Sequence, residues 1–309
     1  MSIETSIGVF HHPVHVLDYG ASHQDWIAER YNFIGGSEAA IAIDCSPFSS
    51  KVSLILEKIG LIESFTGNEA TYWGTKLEDL IMEECRFRFF NKPSNKVDFK
   101  TPMMKHPEHE WMSANLDGVG WSKELGFTIL EAKNIGSRIG AAEWNSGNIP
   151  KHYFCQLQHY FCVMGPQFQN ALICGLFSGN HFESRLVERD ENFIETLVDA
   201  ERELWSRIKE KRWKDLIDHT TSTSKALDQL YKDHQEKTIT LDDEKSVEAA
   251  NNYVEANQTI KEQEIIKTES KNHLKEMLKD HQEALIDGFV VRWKTTSRGE
   301  RRFEIRKEE

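Results

Sequence analysis

Hydrophobic and polar positions follow two different periods over the first two thirds of the chain. Apolar residues recur at helical spacing in segments that predict amphipathic helices, at about 51–59, 70–90, 151–164 and 190–209. Between these segments lie short runs with the composition of strands, at 111–119, 126–133, 170–178 and 184–188. Helices that alternate with strands predict an α/β domain over residues 26–215, with a central mixed sheet flanked by helices.

The segments outside this domain have other patterns. Residues 1–25 are irregular and predict an N-terminal arm, and the Thr- and Ser-rich residues near 220 predict a linker over 216–240. Residues 241–287 are dense in Glu, Lys, Gln and Asn, which predicts a charged long helix or a helical hairpin. Residues 288–309 alternate apolar and polar positions around a Ser-Arg-Gly turn, which predicts a β-hairpin tail. This tail is basic, with seven basic and four acidic residues.

Composition places the chain among folded proteins that do not span membranes. Hydrophobic residues make up 39% of it, enough for a sizeable core, and its longest strongly apolar stretch is far too short to cross a bilayer. The N-terminus lacks the pattern of a secretory signal, and the five scattered cysteines fit a reduced compartment, so we expect a cytoplasmic protein. The net charge of −12 argues against indiscriminate binding of polyanions but allows a local basic site.

Asp117 and the triplet from Glu131 to Lys133 form the strongest chemical signal. Strand alternation places Glu131 and Lys133 on the face of Phe127 and Ile129, where a charge is costly without a purpose. A hairpin would bring Asp117 beside Glu131. Two carboxylates and an ammonium group suit a hard cation such as Mg²⁺ and the hydrolysis of phosphate esters. A lone Glu-x-Lys triplet, however, is more often an exposed ion pair on a strand.

Four blocks of sequence, taken together, resemble the YqaJ-like viral recombinase and lambda-exonuclease branch of the PD-(D/E)xK nucleases. In chain order they are RYNFIGGSEAA at 30–40, WGTKLE at 73–78, LDG at 116–118 with LEAK at 130–133, and HYFCQLQHY at 152–160. Glu38 stands where the family often has Asp, and about a hundred C-terminal residues have no counterpart in lambda exonuclease. The resemblance covers about residues 26–210 and implies a restriction-endonuclease-like core.

The resemblance also implies roles for the residues that match around a metal. The implied ligands are Asp117, Glu131, the backbone carbonyl of Ala132 and, as an additional acidic residue, Glu78. Lys133 resembles the catalytic lysine, and Gln156 resembles the glutamine that holds this lysine and the attacked phosphate. Without the family, Glu78 is better interpreted as an exposed carboxylate on a charged helix.

The same resemblance implies a pocket for the 5′ phosphate of the digested strand. Arg30 offers a forked donor set, and Ser37, which the sequence predicts as the N-cap of a helix at 38–43, offers a hydroxyl group. Gly36 allows close approach of the backbone. Lys51 is a candidate second cation. Tyr153 either lines the site or is a partly buried aromatic residue.

The implied activity is that of a Mg²⁺-dependent 5′-to-3′ exonuclease, with Mn²⁺ as a substitute, on linear double-stranded DNA ends. The enzyme would leave 3′ overhangs for a single-strand annealing recombinase. By the same resemblance it would be a homotrimer in the cytoplasm of a bacterial host. It could be encoded by the host or by a phage. The cysteines do not cluster and there is no P-loop, so we expect neither an iron–sulfur cluster nor ATP. The alternatives are an endonuclease or defence-system nuclease on the same fold, and a non-catalytic DNA-binding or assembly protein.

The C-terminal tail offers a second set of candidate DNA contacts. Five basic residues and a tryptophan make up this set: Arg292, Trp293, Lys294, Arg298, Arg301 and Arg302. The indole of Trp293 would provide a surface on which a base can stack. Self-association, docking of a recombination partner, and a solvated charged helix without a specific partner are the other interpretations of this extension.

Overall fold

The computed structural model describes residues 3–5, 7–10, 12–99, 101–136, 144, 147–233 and 235–308. The chain divides into two compact units, Met1–His234 and Gln235–Glu309. Part of the predicted α/β domain, at 137–143 and 145–146, lies outside the described residues. Among the described residues, none of the helices is both long and apolar enough to cross a membrane.

The first unit contains the predicted α/β architecture. Its described strands are β1 (Ile3–Thr5), β2 (Gly8–Phe10), β3 (Val14–Leu17), β4 (Ile34–Gly35), β5 (Lys96–Asp98), β6 (Met103–Lys105), β7 (Met112–Ala114), β8 (Gly118–Ser122), β9 (Gly126–Ile135), β10 (Phe168–Phe177) and β11 (His181–Glu188). Its described helices are α1 (His23–Arg30), α2 (Gly36–Ala42), α3 (Lys51–Lys58), α4 (Glu69–Phe89), α5 (Lys151–Met164), α6 (Glu191–Glu210) and α7 (Thr221–Leu230).

A mixed sheet with the strand order β11-β10-β9-β8-β5 lies at the centre of this unit. β8 and β9 form an antiparallel hairpin in which Gly118 lies opposite Leu130, whereas β9 and β10 run parallel. Parallel strands need a crossover connection, and α5 lies in the connection between β9 and β10. A second, smaller sheet has the order β3-β6-β7-β4. The predicted mixed sheet flanked by helices is therefore confirmed.

Alternation along β9 assigns its residues to two hydrophobic cores. Ile129 belongs to the core that includes Leu157 and Phe161 of α5, and Leu130 belongs to the core that includes Ile81 of α4. Glu131, two residues after Ile129, therefore points to the side of the sheet that α5 covers. α5 itself begins directly after Pro150 and ends at Gly165, whose positive φ of 85° suits glycine. The predicted helix at 151–164 is confirmed.

Three local predictions were wrong. The predicted N-terminal arm contains strands, because β1 pairs with β2 and β3 pairs with the distant β6. The predicted linker contains α7, which Thr220 caps and whose Thr223 hydroxyl donates to Ser50 Oγ at 2.8 Å. The N-cap of α2 is Gly35 rather than Ser37, because the Glu38 side chain accepts the Gly35 N–H at 3.0 Å and starts the helix earlier.

The second unit consists of one long helix and a small sheet. The helix, α8 (Glu244–Leu278), is continuous, so the alternative of a helical hairpin is wrong for this segment. The predicted terminal hairpin is present as β13 (Phe289–Thr295) and β14 (Arg301–Lys307). An additional strand, β12 (Glu283–Ile286), pairs with β13 and makes the sheet three-stranded.

Candidate active site

A cavity of about 360 Å³ opens in the first unit where the hairpin of β8 and β9 meets α2, α4 and α5. All four of the sequence blocks contribute to its lining. The predicted site residues that line it are Arg30, Gly36, Ser37, Glu78, Asp117, Glu131, Ala132, Lys133 and Gln156. The fold therefore brings together most of the residues that the sequence singled out.

Asp117 and Glu131 lie beside each other at the open end of the hairpin that β8 and β9 form, away from its turn. Asp117 immediately precedes β8, and its Oδ2 accepts the backbone N–H of Ala132 at 2.8 Å. Gly118 pairs with Leu130, so the preceding Asp117 and the following Glu131 project from the same side of the sheet. This arrangement is the one expected from strand alternation.

Glu131 is buried, and its two carboxylate oxygens have different surroundings. Its Oε1 accepts hydrogen bonds from the Lys133 ammonium and from Gln156 Nε2, the latter at 2.8 Å. Its Oε2 is buried and has no hydrogen-bond partner among the described residues. A buried carboxylate oxygen without a donor is costly, and a bound cation would satisfy it.

The carboxylates of the cavity raise one another's pKa. Burial first, and then the charge of Glu131, raises the pKa of Asp117 to about 7. Burial first, and then the charge of Asp117, raises the pKa of Glu78 to about 7. Burial also raises the pKa of Glu131, although Lys133 opposes this change. Carboxylates that crowd in this way share a need for positive charge.

Lys133 supplies only part of that charge. Burial acts to lower its pKa, but Glu131 and Asp117 outweigh burial and raise it above the ordinary value for lysine. The two carboxylates therefore favour the ammonium form of Lys133. Its Nζ also lies 5.0 Å from the centre of the Tyr153 ring, at cation–π distance.

The donor set fits a hard divalent cation. Asp117, Glu131 and Glu78 offer carboxylate oxygens, Ala132 offers a backbone carbonyl, and Glu131 Oε2 lacks a partner among the described residues. Oxygen ligands, with further positions left to water and substrate phosphate, suit Mg²⁺ rather than a soft metal.

Arg30 and Ser37 line the same cavity as the carboxylates. Glu38 holds Arg30 in place, because its Oε1 accepts from the Arg30 guanidinium at 2.9 Å and its Oε2 pairs with Lys58 at 2.9 Å. Lys58 also donates to the Arg30 backbone carbonyl at 2.6 Å. The exposed Ser37 follows Gly36 in the first turn of α2 and lines the cavity. An anion bound beside these two residues would meet a guanidinium and a hydroxyl group.

Tyr160 contacts both Gly36 and Gln156 in the lining of the cavity, a role that the sequence analysis missed. A Cβ atom added at Gly36 would lie 2.3 Å from its ring, so only glycine allows this close approach. Its hydroxyl accepts from Gln156 Nε2 at 3.0 Å and donates to the Asn115 carbonyl at 3.0 Å. The sequence signal for the contact between Tyr160 and Gln156 was their i,i+4 spacing, which places both residues on one face of the helix.

The remaining candidates lie elsewhere. Lys51 begins α3 and pairs with Asp44 at 2.6 Å, and it is absent from the described lining of the cavity. In the second unit, Arg292 pairs with Glu283 at 2.5 Å. Arg301 donates to the carbonyls of Lys279 and His281, each at 2.7 Å.

A separate group of possible metal ligands lies near the end of α5. Donor atoms of His106, His109 and Cys162 lie within 4.8 Å of one another. The rings of His106 and His109, however, stack at 15°, so their in-plane lone pairs do not converge on one ion. His106 Nδ1 also accepts the backbone N–H groups of Glu108 and His109, at 3.1 and 2.9 Å. The geometry is that of a hydrogen-bonded stack of imidazoles.

Comparison with known proteins gives a family match and several structural likenesses. The family model of the YqaJ-like viral recombinase domain matches residues 25–167. A protein of Bacillus subtilis (strain 168), "Uncharacterized protein YqaJ", is 30% identical over 275 residues, which are 88% of this chain and 83% of that protein.

Two solved structures illustrate the structural likeness. The alkaline exonuclease of Laribacter hongkongensis is 20% identical and has a TM-score of 0.49, over 62% of this chain and 98% of that one. A phage-related exonuclease from Haemophilus somnus 129PT is 13% identical and has a TM-score of 0.43, over 58% and 96% of the two chains.

Proposed function

Since this chain belongs to the YqaJ-like viral recombinase family of nucleases, we propose that it is a Mg²⁺-dependent 5′-to-3′ exonuclease on linear double-stranded DNA. One observation carries the proposal. Asp117, Glu131, Lys133 and Gln156 converge in one cavity, and a buried oxygen of Glu131 there has no partner among the described residues. Arg30 and Ser37 line the same cavity.

Asp117, Glu131, the Ala132 carbonyl and Glu78 would hold the metal. When bound, Mg²⁺ or its substitute Mn²⁺ supplies Lewis-acid polarisation of the phosphate and lowers the pKa of an attacking water. Lys133, charged at neutral pH, stabilises the negative charge that develops on the scissile phosphate. Gln156 and Lys133 both donate to Oε1 of Glu131, so Gln156 orients the carboxylate that in turn positions the ammonium group.

Arg30 and Ser37 account for the proposed polarity. A 5′ phosphate would accept bonds from the guanidinium that Glu38 anchors and from the Ser37 hydroxyl. Gly36 lets the Tyr160 ring pack directly against the first turn of α2, next to Ser37. Because these residues and the carboxylates line one cavity, an enzyme that holds the terminal phosphate there places a nearby phosphodiester at the carboxylates.

Digestion from the 5′ end would leave a 3′ overhang for recombination. This overhang would pass to a single-strand annealing recombinase in the cytoplasm of a bacterial host. A homotrimer would enclose the duplex and keep it bound between successive cuts. Light scattering of the purified chain measures the oligomeric state, and a monomer at working concentrations would contradict the trimer without affecting the proposed chemistry.

The test compares linear duplexes with 5′-phosphate, 5′-hydroxyl or hairpin-closed ends, with Mg²⁺ or with EDTA. We expect metal-dependent loss of the 5′-phosphorylated strand, slower loss with 5′-hydroxyl ends, and no cutting of closed molecules. Glu131→Gln keeps the shape of the side chain but should lower kcat by roughly 10² or more. Cutting of closed circles would instead indicate an endonuclease, and the absence of any cleavage would contradict the nuclease proposal.

A further inference from the structure

The sheet of the second unit has two chemically different faces. Strand pairing places Val291 opposite Ile305 and Trp293 opposite Phe303 on one face. The other face carries two hydrophobic residues, four basic residues and two acidic residues. We call it the basic face, and its residues are Glu283, Leu285, Val290, Arg292, Lys294, Arg302, Glu304 and Arg306.

The end of α8 covers the face opposite to the basic face. Lys275 of α8 lies 5.1 Å from the centre of the Trp293 ring, and Lys271 lies 5.9 Å from the centre of the Phe303 ring. Arg301 also packs on Trp293, at 3.7 Å. Trp293 and Arg301 therefore hold the unit together, which leaves them poorly placed to contact DNA.

The basic face carries charges that the unit itself does not neutralise. Lys294 lies directly opposite Arg302 in the antiparallel pair, and like charges at such a position destabilise a sheet. Among the described residues, neither Arg302 nor Arg306 has an ion-pair partner, and both are exposed. Glu283 pairs with Arg292 at 2.5 Å and reaches Lys294 only at 3.7 Å. An anionic ligand would remove the repulsion between Lys294 and Arg302.

The composition of this face indicates which anion it suits. Proteins that bind single-stranded DNA generally stack its bases on aromatic rings. The aromatic residues of the sheet, Phe289, Trp293 and Phe303, all lie on the opposite face. The basic face offers cations but no stacking surface among its described residues, which favours contacts to the phosphates of a duplex, without base readout.

We propose that the basic face of the second unit is a sequence-independent binding site for the phosphate backbone of double-stranded DNA. Lys294, Arg302 and Arg306 make the contacts, and Arg298 in the adjacent turn extends the surface. This site deepens the proposed function and rests on it, because it would keep a duplex bound away from the end that is digested. It requires neither a DNA end nor the metal, so its failure can be distinguished from the failure of the nuclease proposal.

The experiment uses the full chain in EDTA and a fluorescent duplex closed at both ends by hairpin loops. Such a dumbbell has no terminal phosphate for the cavity of the first unit. Anisotropy gives the Kd over a range of salt concentrations for the parent chain and for a Lys294→Glu/Arg302→Glu variant. The matched control is Lys245→Glu/Lys261→Glu, which makes the same change of charge on the exposed surface of α8.

We expect the variant of the basic face to bind the dumbbell at least about tenfold more weakly than the parent does. The slope of log K against log salt should become shallower by roughly 2, one for each lost phosphate contact. The control should stay within about threefold of the parent, since nonspecific charge acts weakly at a distance in salt. Circular dichroism and thermal unfolding verify that each variant is folded.

Three outcomes would overturn the proposal. The parent could fail to bind the dumbbell at low salt, the control could weaken binding as much as the variant does, or a single strand of equal length could bind more tightly than the dumbbell. A parent that binds the dumbbell but does not digest 5′-phosphorylated ends would keep this site and remove the nuclease proposal. Digestion of 5′-phosphorylated ends without binding of the dumbbell would keep the nuclease proposal and remove this site.

Discussion

Glu38 is a buried carboxylate between two cations, and its charge has a defined effect on stability. Burial acts to raise its pKa, but Lys58 and Arg30 outweigh burial and lower it below 4.5. A carboxylate with a lowered pKa in the folded state contributes stability above its ordinary pKa, and this contribution is lost as the pH falls. The side chain of Lys58 is only 2% exposed, so the pair with Lys58 is a buried one.

Glu38→Gln should therefore lower the free energy of unfolding at neutral pH by about 3 kcal/mol, because it leaves Lys58 buried without its partner. The difference from the parent should shrink as the pH falls through the lowered pKa of Glu38, because the parent then loses the charge that the variant lacks. Urea unfolding at several pH values measures this difference. A difference that is constant over the whole pH range would show that the charge of Glu38 is irrelevant.

Tyr160→Phe tests the contact that Tyr160 makes with Gln156 in the cavity. The change keeps the ring against Gly36 but removes the hydroxyl that accepts from Gln156. Losing one such hydrogen bond is worth about 1 kcal/mol, so kcat should fall about fivefold. KM for 5′-phosphorylated ends should not change, because Arg30 and Ser37 remain in place.

The control for Tyr160→Phe is Tyr31→Phe, which removes a tyrosine hydroxyl that bonds Ser64. Neither Tyr31 nor Ser64 is among the residues described as lining the cavity. Single-turnover digestion separates kcat from KM for both variants. An equal loss of kcat in both would indicate a general effect on stability, and an unchanged kcat in Tyr160→Phe would remove the role of the hydroxyl.

At the level of elements, patterns that depend on neighbours in sequence were predictable. The alternation of β9 is local, and it correctly placed Glu131 and Lys133 on one side of the sheet. Helical spacing placed Gln156 and Tyr160 on one face of α5. The contact of Tyr160 with Gly36 joins two elements that are far apart in the chain, and no local period reports it.

The elements that were missed depend on distant partners. β3 pairs with β6, and α7 packs on α3, although the sequence near 220 is rich in Thr and Ser. Polar residues of this kind usually form loops, but here the buried Thr223 and Ser50 satisfy each other's hydrogen bonds. Composition alone does not reveal that two buried hydroxyl groups have each other as partners.

Ala226→Asp should expose the structural role of α7. Ala226 is 3% exposed in the core shared by α3, α6 and α7, so the substitution would bury an unpaired carboxylate. We expect a loss of at least about 2 kcal/mol in the free energy of unfolding, by urea denaturation. Lys225→Asp, at the exposed neighbouring position, should change it by less than about 0.5 kcal/mol. Similar effects at both positions would mean that α7 behaves as a linker.

At the scale of the whole molecule, the net charge of −12 conceals a separation of charge. The final segment, 288–309, has seven basic and four acidic residues, whereas the chain as a whole is acidic. An acidic protein can bind DNA when its cations are concentrated on one face, since only that face must meet the phosphates. The basic face and the cavity with Arg30 are two places where such cations lie on the described surface.

The division into two units predicts where the chain can be cut. Residues 235–243 join the first unit to α8, and those that are described are exposed and form neither helix nor strand. Proteases prefer exposed segments of this kind, so limited proteolysis should cut there first and give two stable fragments. The N-terminal fragment contains every residue of the cavity and should retain metal-dependent digestion of 5′-phosphorylated ends. It should lose the salt-sensitive binding of closed duplexes, because the basic face departs with the other fragment.

Mass spectrometry identifies the site of cleavage, and activity is assayed on the separated fragments. Loss of digestion in a folded N-terminal fragment would mean that the second unit contributes to catalysis, which would change the assignment of the active site.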